Sequence, residues 1–240
     1  MAKLRLDKFI SSQLNISRTD AKKLLRQSKV LVNGISTCKA ELSVDNEKDV
    51  ITVNGKDILY KKYVYIMMNK PKGVVSATED GRDITVLDIL PEELRRNGLF
   101  PAGRLDKDTT GFVLITDDGT FAHNMLSPSH HIEKTYIVGI EEKVTSEDEK
   151  RFFDGMEIGG ELFRPAKLRF ICKSEEDNLY YYEIKITEGR YHQIKRMFAS
   201  TGKPVIELKR THLGSLCLDP SLSPGESREL TENELKKILI

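Results

Sequence analysis

The sequence predicts an α+β protein in which a small basic module precedes a larger domain with a mixed, mainly antiparallel sheet flanked by helices. Two short helical patterns at the start, two Asn-Gly steps behind them, and a later alternation of strand-like and helix-like segments support this prediction. The later alternation lacks a regular βαβ rhythm, which disfavours a parallel sheet. The 240 residues suffice for a small domain joined to a larger one.

Two short helices are predicted at the start of the chain. Apolar residues recur at helical spacing from Leu6 to Leu14, and a second helix opens at Ser17, with Asp20 completing a capping-box pattern. The apolar stripe of the second helix leaves its other face free to offer charges to phosphates. That face carries Arg18, Lys22, Lys23, Arg26 and Lys29.

Charge is distributed unevenly along the chain, although the net charge is only +1. Residues 1–39 hold nine Lys and Arg against two Asp, a net of +7. By difference from the totals of 38 and 37, the remaining residues hold 29 basic and 35 acidic side chains, a net of −6. A basic end on an acidic chain indicates a polyanionic partner held mainly by that end, whereas the alternative is a solvated charged face.

Turn and strand signals follow the basic module. The Asn33-Gly34 and Asn54-Gly55 steps, each beside β-branched residues, predict tight turns between strands. In the larger domain, strands are predicted at Val64–Met68, Gly111–Thr116, Lys134–Ile140 and Tyr180–Thr187. Helical spacing is found at Phe121–Leu126, Ser146–Phe153, His192–Ser200 and Glu232–Leu239.

Composition argues against several functional classes. There is no apolar run of about 18 residues and no signal-peptide pattern, so we expect a cytoplasmic protein without a membrane partner. The three cysteines are widely spaced and match no zinc motif. We therefore expect no metal, and the absence of nucleotide-binding glycine motifs predicts no cofactor.

An acidic loop before an apolar strand is the first candidate for chemistry. The segment GRLDKDTTG, residues 103–111, holds Arg104, Asp106 and Asp108, and such loops commonly display catalytic groups. An acidic loop before a strand is, however, more often ordinary turn chemistry. Spacing does not choose between the two aspartates, because both would lie on one side of an extended segment.

Three further segments carry candidate residues. In EGRYHQIKRM, residues 188–197, a cation on the helix could pair with a distant carboxylate and hold it ionised, or could simply be a surface charge. Lys70 and Lys72 flank Pro71 at a strand end, where phosphate contact and an ordinary turn are equally good explanations. Tyr136 lies in a strand, where tyrosines are usually core residues.

The first module resembles the S4 RNA-binding domain. The resemblance rests on SRTDAKKLLRQSKVLVNG, residues 17–34, and implies a small S4-like α/β domain over residues 1–57. Residues 58–63 are then the expected linker and residues 64–240 the second domain. Members of the S4 family usually carry Gly where this chain has Ser28, which makes the geometry of that turn a point to test.

Four segments of the larger domain together resemble the RsuA branch of the RsuA/RluB/RluE/RluF pseudouridine synthases. These segments are NKPKGVVSAT, AGRLDKDTTG followed by ITDDG, SPSHHIEKTY, and EGRYHQIKRMFA. The combination is more specific than any one segment. The resemblance implies an isomerase that converts a uridine of ribosomal RNA to pseudouridine.

The same resemblance implies roles for individual residues. Asp106 matches the catalytic aspartate and Asp108 a supporting position, while Tyr136 matches an aromatic that stacks on the target base. Arg104 matches the residue that fills the RNA stack, and Lys195 stands where most pseudouridine synthases place an Arg that pairs with the aspartate. Catalytic roles are therefore expected for Asp106, Tyr136, Lys195 and Arg104. RNA contacts are expected at Arg5, Arg18, Lys22, Lys23, Arg26, Lys29, Lys70, Lys72, Arg190, His192 and Arg196.

Several functional alternatives stay open at the level of sequence. TTG rather than TSG, with HQIKRM, favours the small-subunit type of the family, which would act on uridine 516 of 16S ribosomal RNA or of a small-subunit assembly intermediate. We also expect the protein to be a monomer. A 23S ribosomal RNA synthase of the RluB/RluE/RluF type is the nearest alternative. A non-catalytic S4-domain RNA-binding protein and an RNA N-glycosidase are the others.

Overall fold

Residues 3–127 and 130–239 are described by the structure, a computed structural model. The chain divides into two units, one formed by Met1–Val64 with Arg95–Leu99 and the other by Tyr65–Leu94 with Phe100–Ile240. Both units mix helices and strands, so the predicted α+β class is confirmed. In the described ranges no helix is long and apolar enough to cross a membrane.

The first unit packs two helices against short strands. Its apolar core includes Leu6 and Phe9 of the first helix and Leu25 of the second, which are all buried, as the helical spacing predicts. The first and fourth strands pair with each other, and the remaining four form an antiparallel sheet in the order β3-β2-β5-β6. The elements are β1 (Lys3–Arg5), α1 (Leu6–Gln13), α2 (Arg18–Arg26), β2 (Val30–Val32), β3 (Ile35–Ser36), β4 (Ser43–Asp45), β5 (Ile51–Val53) and β6 (Lys56–Ile58).

The helix cap and the tight turn predicted for this unit are both present. The Ser17 hydroxyl accepts a 3.1 Å hydrogen bond from the Asp20 amide and caps α2. Asn33 and Gly34 both have positive φ, 52° and 79°, between the hydrogen-bonded strands β2 and β3. This is the backbone that an Asn-Gly hairpin turn requires. Ser28 has a φ of 54°, so it adopts the left-handed conformation for which glycine is the usual residue.

The segment that we expected to be a linker makes contacts inside the first unit. The Tyr60 ring stacks on Phe9 with centroids 5.8 Å apart, and the Lys61 amide donates a 2.8 Å hydrogen bond to the Gln13 side chain. These contacts order residues 58–63 against α1. The domain limits given above, 1–57 and 64–240, stay a prediction.

The second unit is built on a nine-stranded sheet. Its main strand order is β13-β14-β10-β15-β9-β7-β17, with β16 beside β15 and β8 beside β9. Every pairing is antiparallel except that of β9 with β15. The elements are β7 (Tyr65–Lys70), β8 (Phe100–Ala102), β9 (Thr110–Thr116), α3 (Gly119–Leu126), β10 (Lys134–Ile140), α4 (Ser146–Asp154), β11 (Met156–Ile158), β12 (Glu161–Phe163), β13 (Lys167–Lys173), β14 (Tyr180–Ile186), α5 (Gln193–Ala199), β15 (Val205–Leu213), β16 (Leu216–Cys217), β17 (Ser227–Glu229) and α6 (Glu232–Ile238).

The predicted strands and helices of this unit all occur, with ends shifted by one or two residues. The central strand β15 was not predicted, because its sequence VIELKRTHL reads as charged and irregular. Its Arg210 is nevertheless buried and donates a 2.7 Å hydrogen bond from Nε to the Phe112 carbonyl. A cation can occupy this core position because its Nε finds a backbone acceptor on the neighbouring strand, although its Nη2 is buried without a hydrogen-bond partner in the described part of the chain.

Helices cover the sheet through apolar contacts. Met125 of α3 and Ile238 of α6 belong to one buried cluster with Phe112 and Leu114 of β9. Phe152 of α4 packs against Phe198 of α5, with ring centroids 4.7 Å apart. The last contact holds the C-terminal part of α5 against α4.

Candidate active site

The acidic loop between β8 and β9 is hydrogen-bonded to a buried lysine. Lys70, at the end of β7, is fully buried, and its ammonium donates to the carbonyls of Pro71, Lys107 and Thr109 at 3.0, 3.3 and 2.8 Å. The Ser76 hydroxyl adds a 3.2 Å hydrogen bond to the Leu105 carbonyl. The loop that carries Asp106 is therefore fixed to β7 and the segment that follows it.

This geometry corrects our prediction that Lys70 contacts RNA phosphates. Its side chain points into the protein, because the preceding strand residues are buried on both faces and the loop carbonyls need donors. Burial lowers the pKa of Lys70 to about 8, although the negative charges of Asp108 and Asp106 act in the opposite direction. Lys70 is a positioning residue for the acidic loop.

Asp106 and Lys195 lie together, as the sequence predicted from distant segments. The Lys195 Nζ is 3.1 Å from Asp106 Oδ2 and 2.5 Å from Asp108 Oδ1. Burial lowers the pKa of Lys195, but its hydrogen bonds to Asp108 and Asp106 outweigh this effect and leave the pKa raised. The lysine therefore carries a positive charge at neutral pH and presents it to both carboxylates.

The structure distinguishes the two aspartates, which spacing could not do. Asp106 is 30% exposed and lines a cavity, whereas Asp108 is 60% exposed and does not line it. The hydrogen bond from Lys195 lowers the pKa of Asp108, with burial acting in the opposite direction. Asp106 is thus the carboxylate that faces the cavity, and Asp108 contacts the same lysine without lining the cavity.

The cavity beside Asp106 also contains an aromatic ring and aliphatic side chains. Tyr136 of β10 is 8% exposed and lines this cavity, which we call the Tyr136 cavity. Arg104 is exposed and lines its edge. The full lining is Arg104, Leu105, Asp106, Thr109, Tyr136, Ile186, Gly189, Arg190, His192, Gln193, Ile194, Lys195 and Leu208. The four residues for which catalytic roles were expected are therefore brought together.

His192 completes the surroundings of Asp106. Its Nε2 lies 3.4 Å from Asp106 Oδ1, and the residue precedes α5 with a φ of 49°. A left-handed conformation is uncommon for a residue other than glycine and is often found at functional sites. The buried Gln193 braces this turn, because its side chain accepts from the Arg190 amide at 3.1 Å and donates to Glu188 at 2.7 Å.

The other cations expected to contact RNA differ in their surroundings. Arg190 and Arg196 pair with Glu161 at 2.7 and 2.6 Å, and both lie over the Phe163 ring. Lys72 is exposed and lies 3.3 Å from Glu207. These ion pairs would compete with phosphate. The RNA contacts expected for Lys72, Arg190 and Arg196 stay predictions.

In the first unit, the predicted RNA-binding cations are all exposed. Arg5 and Arg18 pair with the fully buried Asp7 at 3.1 and 2.8 Å, so they also stabilise the fold of this unit. Lys23 pairs with Asp20 on the surface of α2. The remaining three cations of this surface are Lys22, Arg26 and Lys29.

Sequence reasoning missed three residues of the site. Ser76 and Gln193 act through hydrogen bonds that no local pattern announces. Tyr191 is 77% exposed beside His192, and its position before a helix gave no signal of function. The burial of Lys70 could have been inferred from the apolar run YIMMNK that contains it.

The chemical capacity of the site follows from these contacts. A carboxylate in contact with an ammonium group, beside an aromatic ring and aliphatic walls, can act as a nucleophile or a base on a bound molecule. Among residues 3–127 and 130–239, no three His, Cys, Asp or Glu side chains are grouped so as to hold a metal ion. The carboxylate, the ammonium group and the phenol that line the cavity are groups that can carry acid–base or covalent chemistry.

Comparison with known proteins identifies the family. Residues 64–200 match the family model for RNA pseudouridylate synthase, and residues 4–45 match that for the S4 domain. The RNA pseudouridine synthase YtzG of Bacillus subtilis (strain 168) is 43% identical over 233 residues, covering 97% of each chain. Ribosomal small subunit pseudouridine synthase A of Escherichia coli (strain K12) is 41% identical over 239 residues, covering 98% of this chain and 100% of that relative.

A solved structure agrees with these matches. A crystal structure described as a pseudouridylate synthase superposes with a TM-score of 0.66 at 39% sequence identity, covering 98% of this chain and 99% of the other. Sequence and fold thus agree over nearly the whole chain. The chain belongs to the RNA pseudouridylate synthase family, whose members are isomerases, and it carries an S4 domain at its N-terminal end.

Proposed function

We propose that this protein isomerises a uridine of 16S ribosomal RNA to pseudouridine, and that the target is uridine 516. The observation that carries the proposal is the contact of the Lys195 ammonium with the Asp106 carboxylate, 3.1 Å away, in the cavity lined by Tyr136. The choice of 16S RNA is supported by the 41% identity with a small-subunit synthase over its full length. We propose that the substrate is this RNA or a small-subunit assembly intermediate, and that the protein acts in the cytoplasm as a monomer.

The reaction rearranges bonds within one nucleotide. The bond from ribose C1′ to uracil N1 breaks, the base turns, and a bond from C1′ to C5 forms. The proton on C5 is lost and N1 gains one, so atoms and electrons balance without an oxidant or a group donor. Side chains alone can support such a reaction, which is consistent with the residues of the site.

Asp106 can act on the ribose by two routes. Its carboxylate can attack C1′ as a nucleophile, giving an ester that holds the sugar while the base turns. It can instead remove the proton from C2′, giving a glycal intermediate. Both routes need an oriented carboxylate, and the contact of Lys195 with Oδ2 orients it.

The target base must leave the RNA stack to reach Asp106. Extrusion of a base costs a few kcal/mol, and stacking on an aromatic ring offsets part of that cost. In this proposal Tyr136, which is largely buried and lines the same cavity as Asp106, stacks on the extruded uracil. Arg104, which is exposed and also lines this cavity, enters the vacated position in the stack. The aliphatic side chains of Leu105, Ile186 and Leu208 reduce access of water, which would otherwise add to ribose C1′ in place of the base.

The S4 domain supplies much of the sequence-independent attraction to RNA in this proposal. Residues 1–39 carry a net charge of +7, whereas the rest of the chain is acidic. Release of counterions on binding makes such attraction strongly dependent on salt. We propose that residues 1–57 hold the RNA and that residues 64–240 carry out the reaction.

The proposal is tested by mapping pseudouridine in ribosomal RNA from cells that lack the protein. Restoring the wild-type chain should restore pseudouridine at position 516 of 16S RNA, and restoring Asp106→Asn should not. Purified Asp106→Asn should still bind the RNA, since the substitution removes one charge and keeps the size of the side chain. Unchanged modification in cells lacking the protein would refute the proposed target.

Other outcomes would assign the alternative functions. Loss of a pseudouridine in 23S rather than 16S RNA would redirect the substrate to the large subunit. Full activity of Asp106→Asn would remove the carboxylate from the chemistry, as expected for a binding protein. Abasic sites in RNA treated with the purified protein would indicate an N-glycosidase, because bond cleavage would then occur without rejoining.

A further inference from the structure

An exposed pair of stacked rings lies beside the candidate active site. The Tyr191 ring lies on the His192 imidazole with centroids 3.9 Å apart and an angle of 15° between their planes. Tyr191 is 77% exposed, so His192 covers one face of its ring and the other face is open. Because most of its surface stays in water, the Tyr191 ring adds little to the stability of the fold through burial. Fold stability therefore does not explain an aromatic residue at this position.

The backbone holds this pair in place. His192 has a φ of 49° and lies between Tyr191 and Asp106, with Nε2 3.4 Å from the carboxylate. The Gln193 amide donates to the Arg190 carbonyl at 3.2 Å, and the Gln193 side chain accepts from the Arg190 amide. The turn that presents Tyr191 is therefore closed by hydrogen bonds on both sides, which limits the entropy lost when a ligand stacks on the ring.

A second cavity places the pair next to the proposed target nucleotide. This Tyr191 cavity has a volume of about 440 Å³, within the range of about 300–1,000 Å³ that is usual for ligand sites. It shares Arg104, Asp106 and His192 with the Tyr136 cavity. When a nucleotide fills the Tyr136 cavity, the Tyr191 cavity is thus within reach of the adjacent nucleotide of the same strand.

The chemistry of the surroundings favours a nucleic acid over a protein. The Tyr191 cavity is lined by the cationic side chains of Arg104, Lys107 and Arg190 around a single open aromatic face, and Lys107 and Arg190 are also paired with Asp83 at 2.6 Å and Glu161 at 2.7 Å. An apolar protein partner would meet these charges, whereas an RNA strand offers a phosphate for Arg104 and a planar base for the ring. Stacking also tolerates any base, since every base has a π-face.

We propose that the Tyr191–His192 pair is a stacking surface for the nucleobase that directly neighbours the target uridine. This inference rests on the proposed function, because it assumes that the target enters the Tyr136 cavity. Two aromatic sites then bind two successive bases, with Tyr136 taking the extruded uracil and Tyr191 its neighbour. Holding the neighbour keeps the strand in place while the target is turned.

The test compares Tyr191→Ala with Tyr191→Phe on a 16S ribosomal RNA transcript. Loss of the ring should raise KM about 10-fold, which corresponds to one stacked base, and should leave kcat within about twofold. The phenylalanine variant keeps the ring and should match the wild type. Phe153→Ala is a matched control, because Phe153 is 72% exposed on α4 and lines neither cavity.

An abasic nucleotide next to the target separates stacking from a merely structural role. The base on each side of the target is removed in turn by ligating a synthetic segment into the transcript. With the wild type, one of the two removals should raise KM about 10-fold, and with Tyr191→Ala the same removal should have no further effect. An equal KM for the wild type and Tyr191→Ala would overturn the proposal. The proposal would also fail if, for each of the two neighbours, the effect of removing the base multiplied with the effect of Tyr191→Ala.

The proposed function and this inference fail in different ways. If the wild type forms no pseudouridine in the transcript or in an assembly intermediate, the proposed function itself fails. If the wild type forms it and Tyr191→Ala does so with the same KM, only the stacking surface fails.

Discussion

The ammonium of Lys70 donates a 2.8 Å hydrogen bond to the carbonyl of Thr109, so that a buried cation at the end of β7 supports the loop containing Asp106. Lys70 and Thr109 are both almost completely buried, and the carbonyls of Lys107, in the same loop, and of Pro71 accept from the same ammonium. The position of the Asp106 carboxylate therefore depends on a side chain that does not line either cavity.

Lys70→Met should impair catalysis more than RNA binding. The substitution leaves three carbonyls without their donor, and the loop should shift to find others. A displacement of about 1 Å at reacting atoms can cost about 100-fold in rate, so we expect kcat to fall about 10- to 100-fold with little change in KM. Single-turnover kinetics measure this effect, and Lys150→Met, an exposed change on α4, is the control. An unchanged kcat would show that the loop is held by other contacts.

Lys195→Met and Lys195→Arg should separate charge from shape. The methionine variant leaves Asp106 without the cation that contacts and orients it, and we expect kcat to fall at least about 100-fold. Arginine keeps the charge and can contact Asp106 and Asp108 with separate nitrogens, so its kcat should stay within about 10-fold of the wild type. Rates measured with saturating RNA test both statements. Equal losses in the two variants would contradict the role of charge.

Lys134→Met should make the protein more stable at neutral pH. Burial lowers the pKa of Lys134 to about 8 from 10.5, and the positive charge of Arg210 acts in the same direction. Below pH 8 the folded protein therefore holds a buried charge, which lowers the free energy of unfolding. Between pH 8 and 10.5 the unfolded chain binds more protons at this lysine than the folded protein does, so the free energy of unfolding rises with pH. The stability advantage of Lys134→Met should be largest below pH 8 and should shrink towards pH 10.5. Urea unfolding of both proteins across this range measures the difference, and an advantage that grows with pH would refute the argument.

Substitutions on α2 should separate RNA attraction from the stability of the S4 domain. Lys22→Gln and Arg26→Gln remove exposed charges, and each should lower the slope of log affinity against log salt by about one if it contacts a phosphate. Arg18→Gln should also lower the free energy of unfolding, by about 1–3 kcal/mol, because it leaves the buried Asp7 with one partner fewer. Filter binding at several salt concentrations and urea unfolding give the two readouts. A stable Arg18→Gln variant would argue against the Asp7 network.

Gly111→Ala should destabilise the sheet beneath the site. Gly111 has a φ of 97°, and a Cβ at this position would collide with the backbone of Arg210 on the paired strand β15. We expect a loss of more than about 2 kcal/mol in the free energy of unfolding, because both strain and the lost strand contact contribute. Gly81→Ala is the matched control, since that position has open space and an ordinary φ. Similar stability of the two variants would contradict this account.

Much of the fold could be predicted because the signals are local. The helical spacing from Leu6 to Leu14 and the cap at Ser17 depend on residues within one or two turns, and both occur as predicted. The Asn33-Gly34 turn was predictable because only certain residues tolerate two successive positive φ angles. The central strand β15 was missed because its charged residues become core residues only through partners on other strands, as Arg210 does with Phe112.

The sequence by itself determined the helices, several of the strands, the residues that could carry chemistry and the basic end of the chain, since periodicity, turn preference and charge are properties of neighbouring residues. Only the tertiary structure decided that Asp106 rather than Asp108 faces the cavity and that Lys70 points inward. It also decided that the Tyr191 ring is open on one face. The physical reason is that burial and contact between distant residues depend on how the strands pair and where α5 begins, and no local pattern encodes that arrangement.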